Sequence, residues 1–445
     1  MTKQFLGYAI PSALAMFIAS LYTIIDGIFV GKGVGDSALA AVTIVMPLTI
    51  MLFGIATMFA VGGGALVSKN FGAKNDKEGI NAFRQVFKFL LIISITISLV
   101  CSVFSDQIVT LLGATDNIKP LASTYLRYYA IFCIPNLIGI ALNSFVRNDS
   151  RPELAMVSTM AGAITNIMLD YVFIFPLGMG IKGAAIATGL GQVVTVSIVL
   201  PHFIRKRGKL TFGNVVLDQK VIKEFTHIGM PSFFAEAAFS VIVFVQNIAL
   251  VNFIGEAGLS AYSVINYITT NIYMVLLGVT FGAQPLISYN YGAKNTKNML
   301  DVYRIANRVA IIIVTLFTGV CYVFGRDLIG IFTTDANIIE IAYNGLNITN
   351  LGFFIVGLNL TTTVYYQAIE VPKYSNLICL LRSIVFLPIS VFILGKMMGI
   401  NGIWISLLVS ESLSMVVARM IANVKTYTNT HIATDRESMI ASQVV

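Results

Sequence analysis

The chain has 445 residues, of which 57% are apolar and only 11% charged, and its formal net charge is +8. A soluble domain is about 25% charged. The composition therefore excludes a disordered protein, a disulfide-stapled scaffold and a soluble α/β enzyme, and points to an integral membrane protein with many spans.

The chain opens directly on an apolar run that contains Pro11 and no small-residue cleavage site, so the first segment is expected to be retained. A hydrocarbon core needs about 20 apolar residues per helix. Twelve stretches meet this: 5–30, 38–65, 86–105, 122–145, 153–175, 183–203, 226–252, 258–286, 304–324, 342–368, 374–396 and 400–424. Most are continuous apolar runs without the dyad alternation of a membrane β-barrel, so helices are predicted. Residues 204–225 form a polar, basic linker, and 425–445 a polar tail.

Charge gives the orientation. With the N-terminus inside, 22 of the 29 Lys and Arg fall in inner loops and flanks, Arg147 and Arg151 among them. Five fall in outer loops, and Arg127 and Arg382 lie within spans. By the positive-inside rule both termini face the cytoplasm. A nucleic-acid surface would gather its charge on one domain face. Here the charge recurs at every second loop, and nucleic acid drops out as a partner.

The sequence repeats at an offset of 220. Pro11-Ser12 matches Pro231-Ser232, Asn70-Phe-Gly-Ala-Lys-Asn75 matches Asn290-Tyr-Gly-Ala-Lys-Asn295, Arg84 matches Arg304, and Pro152 matches Pro372. One residue out of register, Gly180-Ile-Lys-Gly183 matches Gly399-Ile-Asn-Gly402. Each repeat holds six helices, an even number, so the two run parallel about an axis along the membrane normal. The expected architecture is an all-α integral membrane protein with an N-lobe (1–203), a cytoplasmic linker (204–225), a C-lobe (226–424) and a cytoplasmic tail (425–445). Two such lobes around a cleft suit alternating access.

Only four acids lie well inside spans: Asp26, Asp170, Glu236 and Glu411. An ionisable group at mid-bilayer costs about 2.5–3.5 kcal/mol and is a functional candidate by default. Asp26 and Asp170 each lie about five residues before the outer end of an outward-running span, and Thr188 lies at a similar depth on an inward-running one. Tyr22 and Asn166 precede the two acids by four residues and share their helix faces. Two carboxylates, an amide and two hydroxyls can thus converge on one layer. Two carboxylates sharing a partly dry site cannot both stay charged cheaply, which suits them to a proton. Their oxygens equally suit a hard monovalent cation such as Na⁺. The second repeat has Gln246 and Ser390 at the equivalent positions, so a single site is expected. Glu236, with Gln192 and Gln246, makes a candidate substrate or secondary proton site. Glu411 is expected to pair with Arg382 or Arg419.

Other signals are weaker. Pro11 and Pro231 favour kinks in spans 1 and 7. Gly62-Gly63-Gly64 precedes no phosphate-loop lysine and reads as helix packing. Cys101, Cys133, Cys321 and Cys379 lack metal or redox spacing, and the three histidines are scattered. The many Met, Phe and Tyr residues mostly serve packing, with some suited to an adaptable apolar cleft. No cofactor is expected. No enzyme motif is present either: neither H-E-x-x-H nor G-x-S-x-G occurs.

Taken together, the stretches Tyr22-Thr-Ile-Ile-Asp26, Ala38-Leu-Ala-Ala41, Ser68-Lys-Asn-Phe-Gly72-Ala, Ser288-Tyr-Asn-Tyr-Gly292-Ala and Asn166-Ile-Met-Leu-Asp170 with Gly183-Ala-Ala-Ile-Ala-Thr188 resemble the MATE (multidrug and toxic compound extrusion) family, in its bacterial DinF-like branch. The resemblance covers about residues 5–424. It implies a V-shaped, two-lobed exporter in the bacterial cytoplasmic membrane, acting as a monomer surrounded by lipid. It would exchange lipophilic, often cationic drug-like compounds for H⁺ or Na⁺. It also implies a cation site at Asp26, Asn166, Asp170 and Thr188 with Tyr22 beside it, and a span 1 bend at Pro11. Glu236 matches an acid used by another branch, whose span 10 acid is missing here. A flippase for a lipid-linked oligosaccharide is the alternative, and it would need a cationic cleft.

Overall fold

The structure is a computed structural model, and it describes residues 1–254, 256–417 and 419–420. Helices account for the described spans: α1 (Thr2–Gly33), α2 (Asp36–Gly72), α3 (Asp76–Val103), the short α4 (Ser105–Leu111), α5 (Lys119–Ile131), α6 (Cys133–Asn148), α7 (Pro152–Ile174) and α8 (Gly180–Ile204). The second half follows with α9 (Gln219–Ile254), α10 (Glu256–Gly292), α11 (Thr296–Gly330), α12 (Ala336–Ala368) and α13 (Pro372–Leu380). A π-helical turn (Leu381–Phe386) leads from there to α14 (Leu387–Met398) and then α15 (Ile400–Val417). The predicted tail 425–445 and the last residues of the twelfth span lie outside the described residues.

Among the described residues eleven helices are long and apolar enough to cross a membrane, and a bent pair makes twelve. This is a multi-pass membrane protein with two six-helix lobes. The fourth span departs from the continuous helix expected over 122–145. It breaks into α5 and α6 with a 52° bend. Pro135 is the physical reason: it has no N–H to offer the Ile131 carbonyl, and its ring clashes with that turn. The chain crosses the gap with a tighter bond from Phe132 N–H to the Tyr129 carbonyl at 3.1 Å. By contrast, α1 and α9 run unbroken through Pro11 and Pro231.

The repeat is visible in backbone geometry. Lys74 and Lys294 have φ of 62° and 56°, and Ser150 and Glu370 have 65° and 60°. Each pair is separated by 220 residues. All four residues close helices in the same way, with a six-to-one bond from the following residue: Asn75 N–H to the Asn70 carbonyl, Asn295 to Asn290, Arg151 to Val146 and Val371 to Tyr366. These left-handed caps satisfy carbonyls that the helix ends leave orphaned.

The lobes meet in the half of the molecule near the basic loops, here the basic face. A Cβ on Gly62 would stand 2.0 Å from the Phe225 carbonyl oxygen, and one on Gly229 would stand 1.9 Å from that of Met58. The same contact recurs 220 residues on, where Gly282 packs on Ala9. Nearer the face, Gly72 abuts the Tyr289 carbonyl and Gly292 that of Lys69, each at 1.9 Å from a built Cβ. Lys69 adds an ion pair to Glu370 at 2.6 Å. The segment between the lobes is strapped to the first: Arg84 donates to the Thr211 carbonyl, Lys88 to that of Val215, and the Asp218 N–H to Gln85.

Candidate functional site

The first lobe brings α1 against α7, and α7 against α8. This packing carries Asp26 to Asp170, so that the two carboxyl groups are neighbours. Asp170 is fully buried and Asn166 nearly so. Asp26 Oδ1, both Asp170 oxygens and both amide atoms of Asn166 are buried with no hydrogen-bond partner among the described residues. Buried polar atoms are nearly always paired. Five such atoms in one place single this group out as a candidate site, and two neighbouring carboxylates lack a donor by their own chemistry.

Tyr22, one turn below Asp26, lies beside both acids, as the helix spacing predicts. Thr188 does not reach the acids by any hydrogen bond shown among the described residues; its hydroxyl donates to the Ala184 carbonyl at 3.0 Å. It lines the cavity directly beneath them instead. That cavity measures about 150 Å³ and runs between α1, α2, α6, α7 and α8, with Phe281 of α10 also on its wall; Tyr22, Asn166 and Thr188 lie at one end and Asn143, Thr159 and Arg147 at the other. Gln192 lines it midway.

The proposed second group is not one site. Gln192 belongs to this cavity, while Gln246 lies buried in the other lobe, on a cavity of about 50 Å³ shared with Arg382 and Glu411. Glu236 sits against α2 at Gly54 and near Arg382. Glu411 pairs with Arg382 at 3.5 Å and accepts from Asn359 Nδ2 at 2.6 Å, which settles its partner as Arg382.

Two features escaped the sequence reading. Tyr125, on α5, is buried beside the acid pair, and only the packing of the bent span brings it there. Arg147, counted above as a loop charge, is 6% exposed and lies inside the first lobe. Its position at the end of a span hid this: α6 extends three residues beyond the predicted end at 145 and carries the guanidinium inward. The signal available in the sequence was Pro135, which shifts the register of that span. The four cysteines are all buried and unpaired by disulfides. No group of three or more His, Cys, Asp and Glu with metal-site geometry occurs among the described residues.

Residues 11–172 and 231–392 each match the MatE family model, two matches separated by the 220-residue offset of the internal repeat. The multidrug export protein MepA of Staphylococcus saprophyticus is 26% identical over 430 residues, covering 94% of this chain and 93% of that protein. Among solved structures, an outward-facing multidrug resistance MATE family transporter of the MOP superfamily superposes with a TM-score of 0.91 at 22% identity, over 96% of each chain. A MOP superfamily transporter from Pyrococcus furiosus, described as having a binding pocket of reverse polarity, gives 0.89 at 22% identity over 95% of each. At that identity the superpositions speak to the fold.

Proposed function

We propose that this chain, which belongs to the MatE family, exports lipophilic and cationic drug-like compounds by secondary antiport, in exchange for H⁺ or Na⁺. The observation that carries the reading is the neighbouring pair Asp26 and Asp170, whose orphaned oxygens lie next to the orphaned amide of Asn166. A shared proton would turn one carboxyl into a donor for the other. A monovalent cation would be held by the carboxylate oxygens and Asn166 Oδ1. Either one relieves the repulsion between two charges in a dry site.

The cavity leads from that pair toward the basic face, so an occupant of the cavity and a cation at the pair are electrostatically linked. Occupancy by one disfavours the other when both are positive, which is the requirement of exchange. The glycine seam closes the lobes at the basic face. With that face in the bacterial cytoplasm, as its Lys and Arg excess implies, the structure is poised to release outward. Rocking about the seam gives alternating access in a single chain, with lipid as its surroundings. A flippase of lipid-linked oligosaccharide would need several cations to hold a pyrophosphate; the cavity lining contains one, Arg147.

The test is efflux from proteoliposomes under separately imposed H⁺ and Na⁺ gradients, with wild type and Asp26→Asn side by side. The reading requires that one gradient drive efflux in wild type and neither do so in the variant. Equal gradient-driven efflux in both would overturn it.

A further inference from the structure

Arg147 is a buried cation without an anion. Among the described residues it joins no ion pair. The acid two residues on, Asp149, is engaged elsewhere, with His202 at 2.8 Å and the Lys209 N–H at 2.9 Å. One guanidinium group, Nη1, donates to Asn143 Oδ1 at 2.9 Å, and the charge lies 5.4 Å from the centre of the Phe281 ring on α10. A guanidinium carries five donors in a planar fork, and no described acceptor takes up the remaining ones. An unpaired buried charge is costly. Its retention calls for an anion that comes and goes.

The place fits a ligand. Arg147 lines the same cavity as Tyr22, Asn166 and Thr188, at the opposite end. Asn143 fixes the level: its amide donates to Thr159 Oγ1 at 3.0 Å, and Thr159 and Asp170 lie on one helix. Eleven residues of helix put the two charge centres about 16 Å apart along the cavity. The walls between them are polar only in part, with Ala15, Met16, Ala19 and Ile140 facing Gln192 and Thr195. The repeat sharpens the point. The equivalent of Arg147 in the second lobe is Gln367, a neutral group already satisfied by Ser232 Oγ at 2.9 Å. The cation, like the acid pair, belongs to the first lobe alone.

We propose that Arg147 is an anion-recognising subsite, so that the cavity favours amphipathic compounds bearing a carboxylate over the same compounds without one. This rests on the exporter reading and names a substrate class for it. The planar fork matches a carboxylate through two parallel bonds. The residue is only 6% exposed, and it lines the cavity.

The experiment uses one xanthene dye in two forms, the free carboxylic acid and its methyl ester, which share their cationic ring system. Binding to the purified full chain is read by fluorescence polarisation. Wild type should bind the acid about tenfold more tightly than the ester, as expected for a charge-assisted hydrogen bond. In Arg147→Gln the ratio should fall to about one, whatever the absolute affinities do. A purely structural arginine would weaken both dyes together and leave the ratio alone. A wild-type ratio near one overturns the proposal without any variant, and so does a tenfold ratio that survives in Arg147→Gln. If that variant is not recovered folded, Arg147→Lys keeps the charge and loses the fork. Its ratio should drop roughly threefold, and an unchanged ratio again overturns the proposal. Efflux of both dyes under an ion gradient is measured in parallel. If neither dye is moved, the exporter reading fails; if the ester moves and the acid is not favoured, the Arg147 proposal fails alone.

Discussion

Asp170 is the most confined of the intramembrane acids, fully buried and with neither oxygen hydrogen-bonded among the described residues. Replacing it with Asn keeps its shape and offers Asp26 a donor. The Asp170→Asn variant should therefore insert, with a melting temperature in detergent no lower than wild type. Removing the charge saves an insertion cost of about 2.5–3.5 kcal/mol. Gradient-driven efflux should nevertheless fall to the level of empty liposomes. Efflux above about half the wild-type rate would take the pair out of the coupling step. Both acids were legible in the sequence because charge is scarce inside spans, and because helix rise converts position into depth. Thr188 lines the cavity with Tyr22 and Asn166, but its hydroxyl is engaged by its own helix. Arg147 and Tyr125 were illegible for a different reason: both depend on the path of the fourth span, which a count of apolar residues treats as straight.

That span shows what sets legibility for whole elements. Length and hydropathy located every span among the described residues, since burying a backbone in lipid leaves the helix as the one solution here. Local geometry needed residue-specific chemistry, in this case Pro135 against the Ile131 carbonyl. The glycines of the seam make the same point in a testable form. Gly62 was read as a packing residue, but its partner Gly229 lies on a helix of the other lobe, and pairing across lobes is not written in either helix alone. In Gly62→Val the new side chain collides with backbone, so the seam must widen. Overpacking of this kind costs about 1–3 kcal/mol, enough to shift a balance between two conformations roughly tenfold. The readout is Ser12→Cys, placed at the seam, reacting with a membrane-impermeant maleimide added on the basic-face side. Its labelling rate should rise about tenfold in the Gly62→Val background. Gly319→Ala, where a Cβ meets nothing within 4 Å, should leave the rate unchanged. If the two backgrounds label alike, the seam is not what closes that face.

For the whole molecule, the two lobes share a backbone and differ in what fills them. The first-lobe cavity is lined by Met16, Gly139, Gly162 and Gln192. The equivalent positions of the second lobe hold Glu236, Asn359, Arg382 and, one residue out of register, Glu411. These larger polar groups narrow the second-lobe cavity to about 50 Å³, with Asn359 donating to Glu411 and Glu411 paired with Arg382. Breaking such a pair leaves a lone buried charge and costs roughly 3–5 kcal/mol. Arg382→Met should therefore melt at a clearly lower temperature than wild type, and Arg382→Met with Glu411→Leu should recover most of the loss. A double variant as unstable as the single would mean that the charges are needed for something other than each other. The sequence pointed to Arg382 or Arg419 as the partner of Glu411, but not to the pair's role as filler, because that role is defined only by the larger cavity at the matching place in the other lobe.

A first-lobe cavity of about 150 Å³ against one of about 50 Å³ in the second lobe fits the proposal that the first lobe does the binding. If the proposed alternation operates, it requires parting the seam at the basic face, where Lys69 meets Glu370 at 2.6 Å across the lobes. Cysteines at positions 69 and 370, joined by a short bifunctional reagent with a reducible centre, should hold that face shut. All four native cysteines are buried, so the background reaction is small. The double variant before joining is the reference, since it already lacks the half-buried Lys69–Glu370 ion pair. Joining should stop efflux, and reduction should restore it to the reference rate. A longer reagent that spans the open distance should permit efflux while still linking the two positions. If transport persists under the short link, substrate passes without the lobes separating at that face, and rocking about the glycine seam is not the motion that moves it.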